Sequence, residues 1–334
     1  MPVILDVMPE NTYRRMMTPE LAAELATLGT IVACRNAREL SEEAYGDLWA
    51  EADAVLSGWG VRPPTMAILD RAVNLKVISH TAGSVRMFPR YALEKGVIIT
   101  TARSAIARSV AEFCLMNTLT LLRRQLYYVD ADPARTTFIS PDGAKPYSQT
   151  LFGKTVGLIG YGVIAHYFRT MLAPFQCRVL VTDPYLTQTE ADQQQVERVE
   201  LTTLLQEAQV VSLHAPELPS THQMIAGSEL ALLKPGTVFL NAARGRLVDT
   251  QALTATLQTG HIFAAIDVTD PEPLPRDHPL RSLPNVLFTP HIAGPAEDDL
   301  PHLTRTALAD LARVLRGDPP LFPITPEAYD IMSF

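Results

Sequence analysis

Apolar residues occur in short runs rich in valine, isoleucine and leucine, and stretches with helical spacing separate one run from the next. Such runs are typical of buried strands, and their alternation with helices predicts parallel sheets covered on both faces. The predicted strands are residues 3–5, 31–33, 54–56, 77–79, 97–100, 156–159, 179–181, 210–213, 237–240, 262–266 and 286–289. This order favours an α/β protein with two doubly wound parallel-sheet domains.

Helix signals lie between the predicted strands. Thr18 can cap a helix, Pro19 suits its first turn, and Gly29 ends it. Further helices are predicted to begin at Ser41 and to occupy residues 64–72, 201–207, 229–233, 250–260 and 295–316, with Pro301 marking a kink or a delayed start. Residues 130–149 are predicted to be a loop, and the tail at 318–334, with its prolines, is predicted to wrap around the surface.

The longest predicted helix begins at Ser104 and ends at Arg124. Apolar side chains cover most of its circumference, which indicates burial on more than one side. It could cross between domains, contact a second subunit, or do both. Its most apolar part, residues 111–122, is interrupted by Glu112 and Asn117 and is too short and too polar to span a membrane.

Composition and charge narrow the class of protein. A chain of 334 residues predicts about two domains with ample core, and 47% hydrophobic with 19% charged residues is typical of an ordinary soluble protein. The net charge of −8 provides no basic surface for nucleic acid or an anionic membrane, so neither partner is expected. The first residues lack the basic flank and apolar core of a signal peptide, which predicts a cytoplasmic location.

The cysteines are Cys34, Cys114 and Cys177, which are far apart and show no metal-ligand spacing. Each lies in an apolar run, which favours a buried core role. Neither a disulfide framework nor a metal site is predicted.

The predicted strand at 156–159 is followed by GYGVIA (residues 160–165) and then by helical spacing. Gly160 permits a tight turn, and Gly162 lets the backbone approach a pyrophosphate, which the N-terminus of the following helix attracts. Asp183, 21 residues after Gly162, can accept hydrogen bonds from ribose hydroxyls. No Arg or Lys occurs at 184–190 to bind a 2′-phosphate, so NAD is favoured over NADP. A second GxG, beginning at Gly58, precedes two prolines and is predicted to be only a turn.

Several polar residues directly follow predicted strands. These are His214, Arg244, Asp267 and His291, and the segment Ala82-Gly83-Ser84 also follows a strand. Because ligands bind at the carboxyl ends of parallel strands, one crevice is expected to collect these groups with the nucleotide.

The motifs at these positions resemble the D-2-hydroxyacid dehydrogenases, which include glycerate, phosphoglycerate, D-lactate and glyoxylate enzymes. The matching motifs are SVAEF at 109–113, VGLIGYG at 156–162, LHAP at 213–216, NAARGRLVD at 241–249, IDVTDPEP at 266–273 and TPHIAG at 289–294. The resemblance covers nearly the whole chain. It implies an NAD-dependent oxidoreductase that moves a hydride between nicotinamide and C2 of a small D-2-hydroxy or 2-keto acid, such as glyoxylate, hydroxypyruvate, or a pyruvate-like or phosphoglycerate-like acid.

The resemblance implies three catalytic residues. Arg244 would hold the substrate's carboxylate and keto oxygen, although a surface arginine is the alternative. His291 would donate a proton to the keto oxygen in reduction and remove it in oxidation. Glu272 would hydrogen-bond to His291 and orient it, although it could instead be a solvated acid.

Binding residues are implied as well. Ala82, Gly83 and Ser84 would present backbone N–H groups to the substrate carboxylate, together with Arg244 and His291. The implied cofactor contacts are Val110, Gly160, Tyr161, Gly162, Val163, Ile164, Asp183, His214, Ala215, Pro216, Thr221, Ala243 and Asp267. Asp267 could instead cap a turn, and His214 could instead form a structural hydrogen bond.

The resemblance also implies the architecture. A flavodoxin-like substrate domain is expected at 1–102 with 297–334, and a Rossmann-type nucleotide-binding domain at 103–296, with a cleft between them. A homodimer built on the helix from Ser104 to Arg124 is expected.

Two stretches depart from the family pattern, and both border the expected substrate pocket. Residues 101–104 read TARS where Asn followed by Pro-Gly is common, and residues 80–88 read HTAGSVRMF rather than a GVG-D pattern. The identity of the acid therefore stays open, and Arg86 or Arg103 could contact a second anionic group.

The alternative function is an NAD(H)-sensing binding protein of the same fold with little or no turnover. A formate dehydrogenase is disfavoured because that branch pairs its histidine with Gln, whereas Glu272 stands here. A methyltransferase with a similar glycine loop would leave Arg244, Glu272 and His291 unexplained.

Overall fold

A computed structural model of the protein describes residues 1–126 and 148–333. The loop predicted at 130–149 lies, apart from its end, outside the described residues. The chain divides into two compact units, Met1–Ile106 with Pro295–Phe334, and Ala107–Gly294. Each unit contains an all-parallel sheet with helices, which confirms the predicted α/β fold.

The first unit contains a five-stranded sheet with the order β2-β1-β3-β4-β5, which is the order of flavodoxin-like folds. Its strands are β1 (Val3–Asp6), β2 (Thr30–Ala33), β3 (Ala54–Ser57), β4 (Val77–His80) and β5 (Ile98–Thr101). Its helices are Glu10–Met16, Pro19–Leu28, Glu42–Ala50, Met66–Arg71, Tyr91–Glu94, Leu300–Arg316 and Pro326–Asp330.

Alternate residues of these strands face opposite sides of the sheet. Leu5 and Val55 pack with Trp49 on one side. Ile4 packs with Leu311 of the last long helix on the other side. Both faces are therefore covered, which explains why the strands are continuous apolar runs.

The second unit contains a seven-stranded sheet with the order β12-β11-β10-β9-β6-β7-β8. Its strands are β6 (Thr155–Ile159), β7 (Arg178–Thr182), β8 (Glu197–Arg198), β9 (Val210–Leu213), β10 (Val238–Asn241), β11 (Phe263–Ile266) and β12 (Val286–Phe288). Its helices are Val163–Leu172, Gln188–Gln194, Leu201–Glu207, Gly227–Leu230 and Thr250–Gln258. Counted from β6, this is the Rossmann order 3-2-1-4-5-6, which β12 extends at one edge.

The structure contains short elements that the apolar pattern does not predict. They include the helices Glu10–Met16, Tyr91–Glu94, Gln188–Gln194 and Pro326–Asp330 and the strand Glu197–Arg198. Each is too short or too polar to show a clear hydrophobic period. The last long helix begins at Leu300 rather than at residue 295, and Pro301 occupies its first turn, where a missing N–H breaks no helical hydrogen bond.

The predicted long helix spans Arg103–Leu122. Among the described residues it is the one helix whose length and apolar composition would let it cross a membrane. The prediction that this helix is too short to span a membrane considered only residues 111–122, and it is wrong for the whole helix. Half of that stretch is buried within the protein. The core helix of a soluble protein has the same length and apolar composition, so these two features alone do not indicate a membrane span.

Candidate active site

The glycine turn after β6 packs tightly against the loop after β9. Gly160 has a φ of +88°, and a Cβ there would lie 2.6 Å from the backbone nitrogen of Ala215. Only glycine fits this position. A Cβ at Gly162 would meet no atom within 4 Å, so the backbone at Gly162 faces open space.

The helix Val163–Leu172 begins at this open space. No side chain caps its N-terminus, so its first N–H groups have no helical or capping acceptor. Val163 and Ile164 provide two of these groups, and they carry the positive end of the helix dipole. A turn open at Gly162 followed by unpaired donors fits the pyrophosphate of a dinucleotide.

Asp183 lies just past the end of β7, beside the glycine turn. Its carboxylate accepts hydrogen bonds from the backbone N–H of Tyr161 (2.6 Å) and of Tyr185 (2.7 Å). Each carboxylate oxygen has a second lone pair, so the group can also accept from ribose hydroxyls. The ring of Tyr161 packs against that of His166, with centroids 4.2 Å apart.

His214 follows β9, and its side chain is partly exposed although its Nε2 atom is buried. Its backbone N–H donates to the carbonyl of Ile159 (2.7 Å), and its ring lies 5.9 Å from that of Phe168. Its Nε2 has no hydrogen-bond partner among the described residues. Burial lowers the pKa of His214 to about 4, so the ring is neutral at neutral pH.

The loop after His214 is held by Thr221. The hydroxyl of Thr221 donates to the carbonyl of Pro216 (2.7 Å) and accepts from the backbone N–H of Leu218 (2.9 Å). Ala215 of this loop is buried, in contact distance of Gly160. These contacts hold the residues predicted to line the cofactor here in one compact loop. The residues are His214, Ala215, Pro216 and Thr221.

Arg244 is positioned by the residues on either side of it. The side-chain amide of Asn241 donates to the carbonyl of Arg244 (2.9 Å), and its oxygen accepts from the N–H of Ala243 (3.1 Å). A Cβ at Gly245 would overlap the carbonyl group of Thr269, so the loops after β10 and β11 touch at Gly245.

The guanidinium of Arg244 is partly buried, and its Nη1 donates to the carbonyl of Ala243 (2.8 Å). Burial lowers the pKa of Arg244, while the carboxylates of Glu217 and Glu272 raise it. The arginine therefore stays charged, and a charged guanidinium suits a carboxylate or a polarised carbonyl oxygen. The sequence did not indicate Glu217, because only the loop geometry brings it near Arg244.

His291 and Glu272 form a direct pair. The Nδ1 of His291 lies 2.5 Å from Oε1 of Glu272, while 52% and 42% of their side chains are exposed. With Glu272 ionised, Nδ1 is the protonated nitrogen of neutral His291. No described residue hydrogen-bonds to Nε2, so this atom can exchange a proton with a ligand.

Asp267 holds the segment that carries His291. Its buried carboxylate accepts from the hydroxyl of Thr289 (2.6 Å) and from the N–H groups of Ile292 (2.8 Å) and Ala293 (2.9 Å). Its carbonyl accepts from the N–H of His291 (2.8 Å). His291 has a φ of +58°, a conformation that costs a residue with a side chain about 1 kcal/mol. The four hydrogen bonds to Asp267 offset that cost. Both carboxylate oxygens thus serve the turn, which supports the capping interpretation of Asp267.

In the first unit, Ala82-Gly83-Ser84 follows β4. The backbone N–H groups of these three residues donate to no group in the described part of the chain. Their loop is held by the hydroxyl of Thr101, which donates to the carbonyls of Ala82 (2.9 Å) and Gly83 (3.0 Å). Successive free N–H groups on a held loop suit an anion.

Nearby His80 is a buried neighbour of that loop. Its Nδ1 lies 3.0 Å from the hydroxyl of Ser57, and burial lowers the pKa of His80 to about 4. Arg86 does not extend into free space, because its Nη1 donates to the carbonyl of Tyr329 (3.3 Å) and its guanidinium lies over the Tyr329 ring. Because Arg86 is bound to Tyr329, it is not available to bind a second anionic group of a substrate.

The predicted residues of the second unit follow neighbouring strands, because β11, β10, β9 and β6 are adjacent in the sheet. Their carboxyl ends bring together the glycine turn, the loop at His214, Arg244 and Asp267. Val110 lies on the helix Arg103–Leu122 rather than at a strand end. Residues 1–126 and 148–333 contain no group of His, Cys, Asp and Glu side chains that could hold a metal ion.

An arginine can hold a carboxylate, and an imidazole supported by a carboxylate can exchange a proton at an adjacent oxygen. Placed on a Rossmann sheet with an open glycine turn, this chemistry defines a nicotinamide-dependent dehydrogenase of carboxylic acids. Residues 115–293 match the family described as D-isomer specific 2-hydroxyacid dehydrogenase, NAD binding domain. The chain belongs to this family, which confirms the predicted family, the class of reaction and the cofactor NAD.

The proteins to which this chain is similar are named for different acids. The chain is 34% identical to the glyoxylate reductase of Thermofilum pendens over 76% of each chain. It is 32% identical to the D-3-phosphoglycerate dehydrogenase of Methanocaldococcus jannaschii over 84% of this chain, but that match spans only 53% of the longer enzyme. Among solved structures, a phosphoglycerate oxidoreductase from Rhizobium etli is 26% identical, with a TM-score of 0.79 over 97% of this chain and 98% of that one.

Proposed function

We propose that this enzyme interconverts a small 2-keto acid and its D-2-hydroxy acid, with Arg244, His291 and Glu272 as its catalytic residues. The observation that carries the assignment is the 2.5 Å contact between Nδ1 of His291 and Glu272, on a turn held by buried Asp267. When bound, NAD(H) would supply the hydride chemistry at C2 of the substrate, as acceptor in oxidation and as donor in reduction.

His291 moves the proton of the reaction. In reduction, its Nε2 donates a proton to the keto oxygen, and in oxidation the same atom removes the hydroxyl proton. Glu272 holds Nδ1 and stabilises the imidazolium. Arg244 binds the carboxylate and polarises the carbonyl, and the free amides of Ala82, Gly83 and Ser84 supply further donors for the carboxylate.

The second unit would hold NAD. Gly160, Gly162, Val163 and Ile164 would contact the pyrophosphate, and Asp183 would bind the ribose. Contacts are also proposed for Val110, Tyr161, His214, Ala215, Pro216, Thr221, Ala243 and Asp267. The first unit would be the substrate domain, with boundaries close to residues 1–102 and 297–334.

The candidate acids are glyoxylate, hydroxypyruvate and pyruvate-like or phosphoglycerate-like acids. The similarity to a glyoxylate reductase and the tying of Arg86 to Tyr329 favour a small acid without a second anionic group. A cytoplasmic location is in keeping with Cys34, Cys114 and Cys177, which are free thiols.

We further propose a homodimer built on the helix from Ser104 to Arg124. Met116 of this helix is 54% exposed, an apolar side chain available to a partner. Light scattering should give twice the chain mass, and Met116→Lys should shift it toward the monomer. A monomeric unaltered protein would contradict this proposal.

A panel of 2-keto acids tests the activity. The enzyme is mixed with NADH or NADPH and each acid, and absorbance reports oxidation of the nicotinamide. Turnover with NADH and at least one small acid is expected. Tight NADH binding without turnover across the panel would instead favour the NAD(H)-sensing binding protein.

A further inference from the structure

The last residues of the described chain run along the segment that follows the Ala82–Ser84 loop. The short helix Pro326–Asp330 and residues 331–333 lie beside residues 84–90. All contacts between the two stretches lie within the first unit.

One of these contacts is made to Ser84 of the loop, and a second is made to Val85, the residue that follows the loop. The hydroxyl of Ser84 donates to the carbonyl of Ser333 (2.6 Å). The backbone N–H of Val85, which is fully buried, donates to the sulfur of Met332 (3.2 Å). No other acceptor for that N–H is present in the described part of the chain.

The remaining contacts anchor the segment. The buried hydroxyl of Tyr329 donates to the carbonyl of Phe88 (2.6 Å). Asp330 accepts from Nε (2.9 Å) and Nη2 (3.2 Å) of Arg90 in a two-point ion pair. Tyr329 belongs to the hydrophobic core, so the anchor does not depend on the surface pair alone.

The opposite side of the loop is held by a different element. The hydroxyl of Thr101 holds the carbonyls of Ala82 and Gly83. Ser84 and Val85 have no comparable support from β5, and their partners are Ser333 and Met332. The direction of the free N–H groups therefore depends on support from both sides.

We propose that the segment formed by residues 325–333 positions the Ala82–Ser84 loop and thereby sets the affinity for the substrate carboxylate. Met332 and Ser333 are positioning residues, since they act through the loop. This inference rests on the proposed function of the loop. A misplacement of a positioning group by about 1 Å can cost up to about 100-fold in rate. Loss of the support that residues 325–333 give to the loop should therefore be measurable.

The decisive variant is a chain that ends at Ile331, which removes both contacts to Ser84 and Val85 while Tyr329 stays in the core. Met332→Leu is the second variant, because it keeps an apolar side chain of similar size but lacks the sulfur acceptor. Glu327→Gln is the matched control, since Glu327 is exposed on the same helix and makes no described hydrogen bond or ion pair to residues 84–90.

With the keto acid and saturating NADH, the shortened chain should show KM raised at least about 10-fold with kcat within about threefold. Met332→Leu should shift KM in the same direction by a smaller factor, and Glu327→Gln should match the unaltered enzyme. The Kd for NADH should stay unchanged in all three. An unchanged KM in either folded variant would overturn the proposal.

Amide hydrogen exchange separates this proposal from the function on which it rests. Without any substrate, peptides covering residues 82–86 should exchange faster in the shortened chain and in Met332→Leu than in Glu327→Gln. Equal exchange would overturn the positioning role of residues 325–333 even if the enzyme is active. Faster exchange in a protein without keto-acid turnover would support the positioning role of residues 325–333 and contradict the proposed function.

Discussion

His291 shows how one residue depends on several others for its place. Its left-handed backbone directs the ring toward Glu272, and the bonds to Asp267 hold that backbone. The sequence motifs indicated both His291 and Glu272, because their spacing in the family pattern is distinctive. The hydrogen bonds of Asp267 to the backbone of Ile292 and Ala293 could not be predicted, since any residue supplies an N–H.

Replacing His291 by Ala removes the proton donor and leaves the glycine turn intact. We expect kcat to fall at least about 100-fold while the Kd for NADH stays within about twofold. His302→Ala, at an exposed histidine of the helix Leu300–Arg316, is the control and should keep normal activity. Steady-state kinetics and NADH fluorescence titration provide the readouts, and normal turnover in His291→Ala would remove His291 from the mechanism.

Replacing Asp183 by Ala should weaken NADH more than NADPH. The carboxylate is the expected acceptor for ribose hydroxyls, and its charge repels a 2′-phosphate. We expect the ratio of kcat/KM for NADH to that for NADPH to fall at least about 10-fold. Asp192→Ala, an exposed acid on the next helix, controls for charge. An unchanged cofactor ratio in Asp183→Ala would contradict the ribose role.

At the scale of elements, the strand-end loops carry the site. The strands were predicted closely because their apolar runs are buried on both faces, as at 210–213, where prediction and structure coincide. The strand Glu197–Arg198 was missed because it is an exposed edge strand of polar residues. The contact of Gly245 with Thr269 could not be predicted, because it joins two loops that are distant in sequence.

Asp267→Asn tests the loop that follows β12. An amide group would place N–H donors against the backbone N–H of Ile292 or Ala293, so at least one hydrogen bond must be lost. We expect the free energy of unfolding to fall by about 2 kcal/mol and kcat to fall at least about 10-fold. Denaturant unfolding and steady-state kinetics measure the two effects.

The control for that prediction is Asp277→Asn, an exposed acid outside the turn, which should change neither quantity. If Asp267→Asn kept full stability and activity, the turn would not depend on the carboxylate.

At the scale of the whole molecule, each unit contains a neutral histidine whose ring is shielded from water. His80 in the first unit and His214 in the second have a pKa of about 4, because burial disfavours the charged ring. In the unfolded chain each titrates near its ordinary pKa of about 6.5. Between these values the unfolded chain binds more protons, so folding stability is complete above pH about 6.5 and is lost as the pH falls toward 4.

We therefore expect the urea midpoint to decrease between pH 7.5 and pH 5, with each histidine contributing up to the order of 3 kcal/mol when fully titrated. His214→Gln should reduce this pH dependence, whereas His302→Gln should leave it unchanged. Urea unfolding at several pH values measures it. The same pH dependence in His214→Gln and in the unaltered protein would show that His214 does not contribute.

Transfer of the hydride is the central claim, and isotope tracing measures it directly. The enzyme is incubated with NADH that carries deuterium at both C4 positions of nicotinamide and with the 2-keto acid that the panel selects, and the product is analysed by mass spectrometry and NMR. We expect deuterium at C2 of a D-2-hydroxy acid, and loss of that product in Arg244→Ala. A chain that binds NADH but delivers no deuterium to C2 of any 2-keto acid would contradict the account.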